Sequence, residues 1–350
     1  MNMPVKPRWR AARLHCPSPK RRSSRHQHGF TLIELLVALV IGLLIALAAI
    51  SALIVTRQGF TTVDAASQLR DNGRFVSDLI QRLGVQTGFK DALHAASPPP
   101  PSATGIAANP APNISGFNNA KISASDPLNV STARTSGEVG YGSDVLILGF
   151  QVAETFPGSG ISDKSMIDCF GFSTATPAAN RDSQVVSILH VDVSLGEPAL
   201  MCTSSDTGAA PFRTSQPIIQ GVENFQVLYG VDGVTAGAAP PAAPGDTVPD
   251  SYLRADQLTV AGNAIATNAN WRRVRSLRIG MILRGPLNTA QDKTAQTLYP
   301  FGAAKASAGG AKGSALFSTN DPGTKFVTPA DGRLRQVVTF TVHLRNDQGR

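Results

Sequence analysis

HQHGFTLIELLVALVIGLLIALAAI, residues 26–50, decides the architecture of this 350-residue chain. The 21 residues of 35–55 contain no charge and no proline. Wound as a helix at about 1.5 Å per residue, they span about 30 Å, the thickness of one bilayer core. A single carboxylate, Glu34, stands at the front of that run. An acid in a membrane helix costs about 2.5–3.5 kcal/mol at the centre and less near an end, so a functional use for Glu34 is the expectation.

The formal net charge of +8 reads at first as a nucleic-acid footprint, but its placement removes that reading. Residues 1–29 hold Lys6, Arg8, Arg10, Arg13, Lys20, Arg21, Arg22 and Arg25 and no acid. Taking those eight from 32 leaves 24 basic residues against 24 acidic ones. The excess therefore lies where a positive-inside signal belongs, and the remainder offers no basic surface for DNA. Two other export readings compete with a retained anchor. Ala46-Leu47-Ala48 has the small residues of a cleavable secretory signal, yet the apolar run continues well past it. Arg21-Arg22 has the pair of a twin-arginine signal but lacks the apolar residues that should follow directly. Neither accounts for Glu34.

The stretch Gly29-Phe30-Thr31-Leu32-Ile33-Glu34 resembles the processing site of type IV prepilins: glycine, phenylalanine, then glutamate at the fifth mature position before an unbroken apolar helix. That resemblance implies cleavage between Gly29 and Phe30 by a dedicated prepilin peptidase, and methylation of Phe30 at its new amino terminus. The carboxylate of Glu34 is then expected to pair with such an ammonium on its own or a neighbouring chain, setting axial register in a filament because a buried unpaired charge penalises misalignment. A leader of 29 residues is long for this family. The implied cut site is the same wherever translation starts.

Beyond the apolar run the helical pattern persists. Ala66, Leu69, Gly73, Val76, Ile80 and Leu83 step by three and four, giving one apolar stripe. Arg74 with Asp78, and Asp78 with Arg82, are spaced to pair along another face, and Gly84 reads as the C-cap. The segments Thr56-Arg57-Gln58-Gly59-Phe60 and Leu69-Arg70-Asp71-Asn72-Gly73-Arg74-Phe75 resemble the region after the anchor in the PilW branch of minor pilins. The similarity extends through "DCFG" (168–171), "IIQGVENFQVLYGVD" (218–232), the strand 271–285 and the closing "LRN".

The expected division follows. Residues 1–29 are a removable leader, 30–55 a membrane or filament-core helix, and 56–84 its amphipathic continuation. Residues 85–143 are a Pro-, Ala-, Ser- and Asn-rich loop, and 144–350 a β-rich domain outside the cytoplasm. Strands are predicted at 144–150, 183–195, 223–232, 271–285 and 333–346. Three of these alternate strictly: Phe225, Val227, Tyr229 and Val231; Leu277, Ile279, Met281 and Leu283; Val338, Phe340, Val342 and Leu344. The implied fold is α+β, a long N-terminal helix packed on a mainly antiparallel sheet. Of three cysteines, Cys16 lies in the leader, whereas Cys169 and Cys202 suit one disulfide in an oxidising compartment, with two buried thiols as the alternative. Their 33-residue separation makes such a bridge worth on the order of 3–4 kcal/mol.

Catalytic chemistry has little support in the sequence. "GGAKGSA" around Gly310 lacks Walker spacing, and "GSGISDKS" (158–165) reads as a turn rather than a phosphate cradle. His94, His190 and His343 lack metal-ligand spacing. Asp232, Asp246 and Asp250 are the weak calcium option, separated by an Ala/Pro insertion and without an EF-hand pattern. No cofactor is expected, and no nucleic acid. The resemblance implies a non-enzymatic minor pilin in the inner membrane and then the pilus. Its partners are the prepilin peptidase, other minor pilins, the major pilin and a tip adhesin. A type II secretion pseudopilin is the near alternative and a membrane-anchored DNA-uptake receptor the distant one.

Overall fold

The computed structural model describes residues 29–95, 111–242, 245–302 and 321–346. The leader with Cys16, the proline run 98–101 and the glycine-rich stretch around Gly310 lie outside the described residues. The chain divides into two compact units, one ending at Thr56 and one beginning at Arg57.

The first unit is the opening half of a helix, α1, that runs Leu32–Gln86. Every residue from Gly29 to Thr56 is exposed. A helix apolar on all sides has no place in water; its surroundings are lipid or other helices. Its only hydroxyls beyond Glu34, on Ser51 and Thr56, donate to the carbonyls of Leu47 and Ala52 at 2.8 Å. No polar side-chain group in this stretch is left to be satisfied by solvent.

In the second unit, α1 continues and is followed by α2 (Ala92–Ala95), β1 (Ile114–Phe117), β2 (Ala120–Ile122), β3 (Ser131–Ala133) and β4 (Val145–Phe150). Then come β5 (Val185–Ser194), β6 (Glu197–Ser205), β7 (Gln216–Gln220), β8 (Val222–Val231) and β9 (Ser251–Leu253). Short helices α3 (Ala255–Leu258) and α4 (Ala264–Trp271) precede β10 (Val274–Arg284), β11 (Thr297–Leu298), β12 (Phe326–Val327) and β13 (Arg335–His343). The expected α+β class holds, but with two main antiparallel sheets in place of one: β1-β4-β5-β6-β7 and β13-β10-β8-β9. All five predicted strands are present. The segment 85–143, expected as loop, is corrected by β1, β2 and β3, and by the buried Ile114 and Ala120.

The second sheet realises the alternation read from the sequence. Leu277 stands between Tyr229 and Val342, Ile279 between Val227 and Phe340, and Met281 between Phe225 and Val338. These three rows share one core with the buried stripe of α1: Leu69, Val76, Ile80 and Leu83. The stripe starts at Ala65 rather than Ala66, which is half-buried. Arg74, Asp78 and Arg82, spaced to pair along the helix, form no ion pair with one another among the described residues. Trp271 closes the far side of the core, edge-on to Tyr229 with ring centroids 4.7 Å apart.

Gly84 is a packing residue rather than the C-cap. The helix continues to Gln86, Thr87 N–H closes on Leu83 O at 3.0 Å, and the left-handed glycine is Gly88 at φ 81°. A Cβ at Gly73 would come within 2.9 Å of Val338 Cγ2, and one at Gly84 would overlap Val342 Cγ1. The two glycines let the helix axis approach β13.

Two polar ties fasten the sheets to each other. Asp144, at the start of β4, accepts from Asn119 N at 3.1 Å and from Val227 N in β8 at 2.8 Å. At the other end, Glu197 of β6 binds Arg284 of β10 at 2.7 Å and Arg333 at 2.9 Å. Glu223 of β8 binds Arg284 at 3.0 Å and Arg335 of β13 at 2.6 Å. Hydrogen bonds from Arg335 hold the Asp331 carboxyl down at about 2. Its contribution to stability is therefore complete above the ordinary Asp value near 4 and is lost as pH falls toward 2.

Replacing Gly84 with Ala gains about 1 kcal/mol of helix propensity but overpacks the core, which typically costs about 1–3 kcal/mol. We expect Gly84→Ala to lower the denaturation midpoint and Gly84→Ala/Val342→Ala to recover part of it. Gly84 acting only as a cap would give the same midpoint shift with or without the Val342 change.

Candidate processing and assembly site

Gly29 and Phe30 precede the helix in exposed chain without regular secondary structure, with Phe30 88% exposed. A peptide bond in this setting meets the steric requirement of a protease, because no helical hydrogen bond has to be opened first. The helix then starts on a reciprocal cap. Thr31 N–H donates to Glu34 Oε2 at 2.9 Å and the Thr31 hydroxyl donates to the same oxygen at 3.1 Å. Glu34 N–H donates to Thr31 Oγ1 at 3.3 Å. This is the Thr-x-x-Glu capping box, two otherwise orphaned donors satisfied by two side chains, with the carboxylate favourably placed at the positive end of the helix dipole.

In place of the ammonium partner expected from the motif, Glu34 holds Thr31 in the isolated chain. The Thr-x-x-Glu signature was present in "TLIE" and would have identified the helix start. The cap places the carboxylate one turn from Phe30, on the side of the chain that the implied cut would turn into an amino terminus.

In the globular unit, Cys169 and Cys202 form a disulfide with Cα atoms 5.9 Å apart. It pins the "DCFG" turn to β6. Asp168 builds that turn: its Oδ1 accepts from Phe170 N and Phe172 N at 2.9 Å, its Oδ2 from Ser204 Oγ at 2.9 Å, and Gly171 takes φ 82°. Cys169 N–H donates to Ser187 Oγ at 3.0 Å, so the turn is tied to both β5 and β6.

The weak calcium residues are otherwise engaged. Asp232 is buried, accepts from Thr247 N at 2.9 Å and lies 3.7 Å from Arg275 Nε. Asp250 accepts from Gly233 N at 2.7 Å and Asp246 from Val248 N at 2.9 Å. Their carboxylates organise the loop through backbone amides. Among the described residues no group of three or more His, Cys, Asp or Glu is arranged to hold a metal.

The glycine-rich 158–165 is a turn whose amides from Gly158 and Gly160 are taken by the chain's own Glu154, leaving no cradle for a phosphate. His94 contacts Ala178 O at 2.9 Å. His190 is buried against Thr203 and Ser215, and burial pulls its ring down to about 4.

With this geometry in hand, the chain's similarities fall into place. Residues 188–346 match the family model of type IV pilus-assembly protein W, and residues 24–50 match the prokaryotic N-terminal methylation motif. Over residues 188–346 the chain is similar to the PilW proteins. The first match begins in β5 and takes in both polar ties at their β6, β8, β10 and β13 ends. The second spans Gly29, Phe30, the Thr31–Glu34 cap and the opening of the apolar helix. A type IV-like pilin from Thermus thermophilus is similar in structure at a TM-score of 0.36 and 14% identity, over 81% of this chain and 98% of that one. No curated protein matches the chain.

Removing the Cys169–Cys202 disulfide, as Cys169→Ala/Cys202→Ala, is expected to lower stability by about 3–4 kcal/mol, the loop entropy returned to the unfolded chain. Thermal unfolding of the oxidised protein with and without reductant provides the comparison. Equal midpoints would mean that Asp168 and the strand ladder hold the turn unaided.

Proposed function

We propose that this chain is a PilW-like minor pilin that is cut between Gly29 and Phe30, methylated on Phe30, and built into the start or tip of a type IV pilus. The observation that carries the reading is the conjunction at the N-terminus. An accessible Gly29-Phe30 bond is followed at once by a capped helix whose first half is apolar and exposed on every side. A helix of this kind suits a bilayer before assembly and a bundle of like helices after it, and its length and composition are sufficient to cross a membrane.

In this reading the leader's positive charge keeps it on the cytoplasmic side, and the disulfide-bonded unit stands in the periplasm and later at the cell surface. Glu34 has a second task. Held on Thr31 in the lone subunit, its exposed carboxylate is about one turn from the new ammonium of Phe30. Exchange of the Thr31 contacts for that ammonium, on the same or an adjacent chain, sets the helix at a fixed height. The chain is a substrate of the prepilin peptidase and a structural partner of other minor pilins, the major pilin and a tip adhesin, rather than a catalyst.

Two measurements test this together. Mass analysis of the mature N-terminus is expected to find methylated Phe30; a chain beginning near Ala49 would mean a conventional secretory signal. Deletion of the gene is expected to remove surface pili and leave type II secretion intact. Full piliation with failed secretion would make the chain a pseudopilin instead. Glu34→Ala should reproduce the deletion while leaving the unfolding midpoint of the globular unit unchanged.

A further inference from the structure

Two loop tips at one end of the globular unit present bare leucines. Leu195, at the β5–β6 turn, is 92% exposed, the highest value for a large apolar side chain among the described residues. Its φ of 53° lies in the left-handed region that leucine rarely adopts, beside Gly196 at 79°. Asparagine or glycine would suit that turn, so the leucine is kept against the preference of its own backbone. Leu287 is 60% exposed, between exposed Pro286 and Asn288 on the loop after β10. That loop is stapled at its base: Thr289 Oγ1 donates to Pro286 O at 2.8 Å and accepts from Leu334 N at 3.0 Å. Packing within the unit accounts for neither leucine.

Both tips belong to the end at which α1 enters the unit. Thr62 Oγ1 donates to Thr289 O at 2.8 Å, and a Cβ on Gly285 would stand 3.6 Å from Ala65 Cβ. Glu197, just past Leu195, reaches Arg284, just before Leu287, at 2.7 Å. On the helix at the same end, Phe60 and Val63 are largely exposed. The ion pairs between the tips neutralise one another: Arg284, Arg333 and Arg335 are matched by Glu197, Glu223 and Asp331. That balance favours neither an acidic nor a basic partner. The protruding groups are apolar, and they suit an apolar one.

The chain itself says what lies nearby. Arg57 is the first charged residue after Glu34. A basic side chain following a long apolar run marks the level at which hydrocarbon gives way to headgroups. Thr62 comes five residues later, about 8 Å of helix, and the headgroup layer is about 5–8 Å deep on each side of a bilayer. We propose that the bilayer interface covers this end of the globular unit, with Leu195 and Leu287 dipping into the boundary between headgroups and acyl chains. Zwitterionic phospholipid suffices as the ligand, because the contact is apolar. The inference rests on the membrane-anchored reading of α1 and adds a second, shallow contact to it. Two tips and a helix make three points of support. They hold the unit at one tilt and fix which of its faces is turned to a neighbouring subunit before that subunit arrives.

The test is tryptophan fluorescence of the full chain in phosphatidylcholine vesicles, with wild-type emission subtracted and the acyl chains brominated near the glycerol. The reference is Ile265→Trp, exposed on α4, which precedes the opposite end of β10. Leu195→Trp and Leu287→Trp are each expected to lose about twice as much emission as this reference, because an indole at headgroup level lies within reach of the bromines. The loss is expected to persist in about 1 M salt, where charge attraction is screened beyond about 3 Å. Leu44→Trp, inside the apolar run, reports on the span itself. Quenching of Leu44→Trp with both tips no more quenched than Ile265→Trp would overturn the contact and leave the span standing. Absence of quenching at Leu44→Trp would overturn the membrane reading and this inference with it. Tips shielded from lipid and from aqueous acrylamide alike would overturn it in favour of a second copy of the chain seated on this end. Quenching that requires anionic lipid and vanishes in salt would also overturn it, assigning the contact to the exposed cations Arg57 and Lys293.

Discussion

The close approach of α1 to β13 is the constraint on which the globular unit rests. Gly73 and Gly84 remove side chains where Val338 and Val342 need the space, and the helix settles low enough for Leu69, Val76, Ile80 and Leu83 to reach the rows of β8 and β10. Those rows place Phe225, Val227 and Tyr229 opposite Met281, Ile279 and Leu277, so one helix face closes three strands at once. With the helix higher, the same strands would keep their ladder hydrogen bonds but lose most of the apolar contacts that make the ladder worth forming. The two polar ties then fix the first sheet to this core, one through the Asp144 carboxylate and one through the Glu197–Arg284–Glu223–Arg335 chain.

How much of this the sequence disclosed depended on how regular each element's pattern was. The helix, β8, β10 and β13 were readable because each buries one face against the core, and burial imposes periods of three to four or of two. β5 was readable from its β-branched residues. β6 was hidden for a local reason. Its partner turn, Leu195-Gly196, has both residues at positive φ, 53° and 79°, the geometry of a tight hairpin. Leucine in that position is not a turn signal, and Pro198 inside the following strand argued against extension. The short β1, β2 and β3 sit in a segment whose Ala, Ser and Asn content described its surroundings and masked the few buried residues, Ile114 above all.

The processing site shows a different kind of legibility. Gly29, Phe30 and Glu34 were found as a motif, which gave their positions but only one of the roles open to Glu34. The Thr31 contacts are a matter of elementary helix chemistry, legible from the Thr-x-x-Glu spacing alone. At Gly84 a local rule was applied where a tertiary one governs: glycine near a helix end is most often a cap, and here a neighbouring strand decides. Asp144 and the β8 amide of Val227 that it accepts from stand far apart in the chain, and nothing short of the folded structure brings them together.

The bare apolar half of α1 also limits the routes by which the subunit travels. Sixteen large apolar side chains from Leu32 to Val55 find no cover within their own unit. Bringing that surface into water would cost on the order of 20–40 kcal/mol at the usual value per buried side chain. No thermal fluctuation supplies such a sum, so in the assembly proposed above a soluble intermediate between membrane and filament is closed off. Transfer has to be continuous, each newly lifted turn of helix meeting another greasy surface as it leaves the acyl chains.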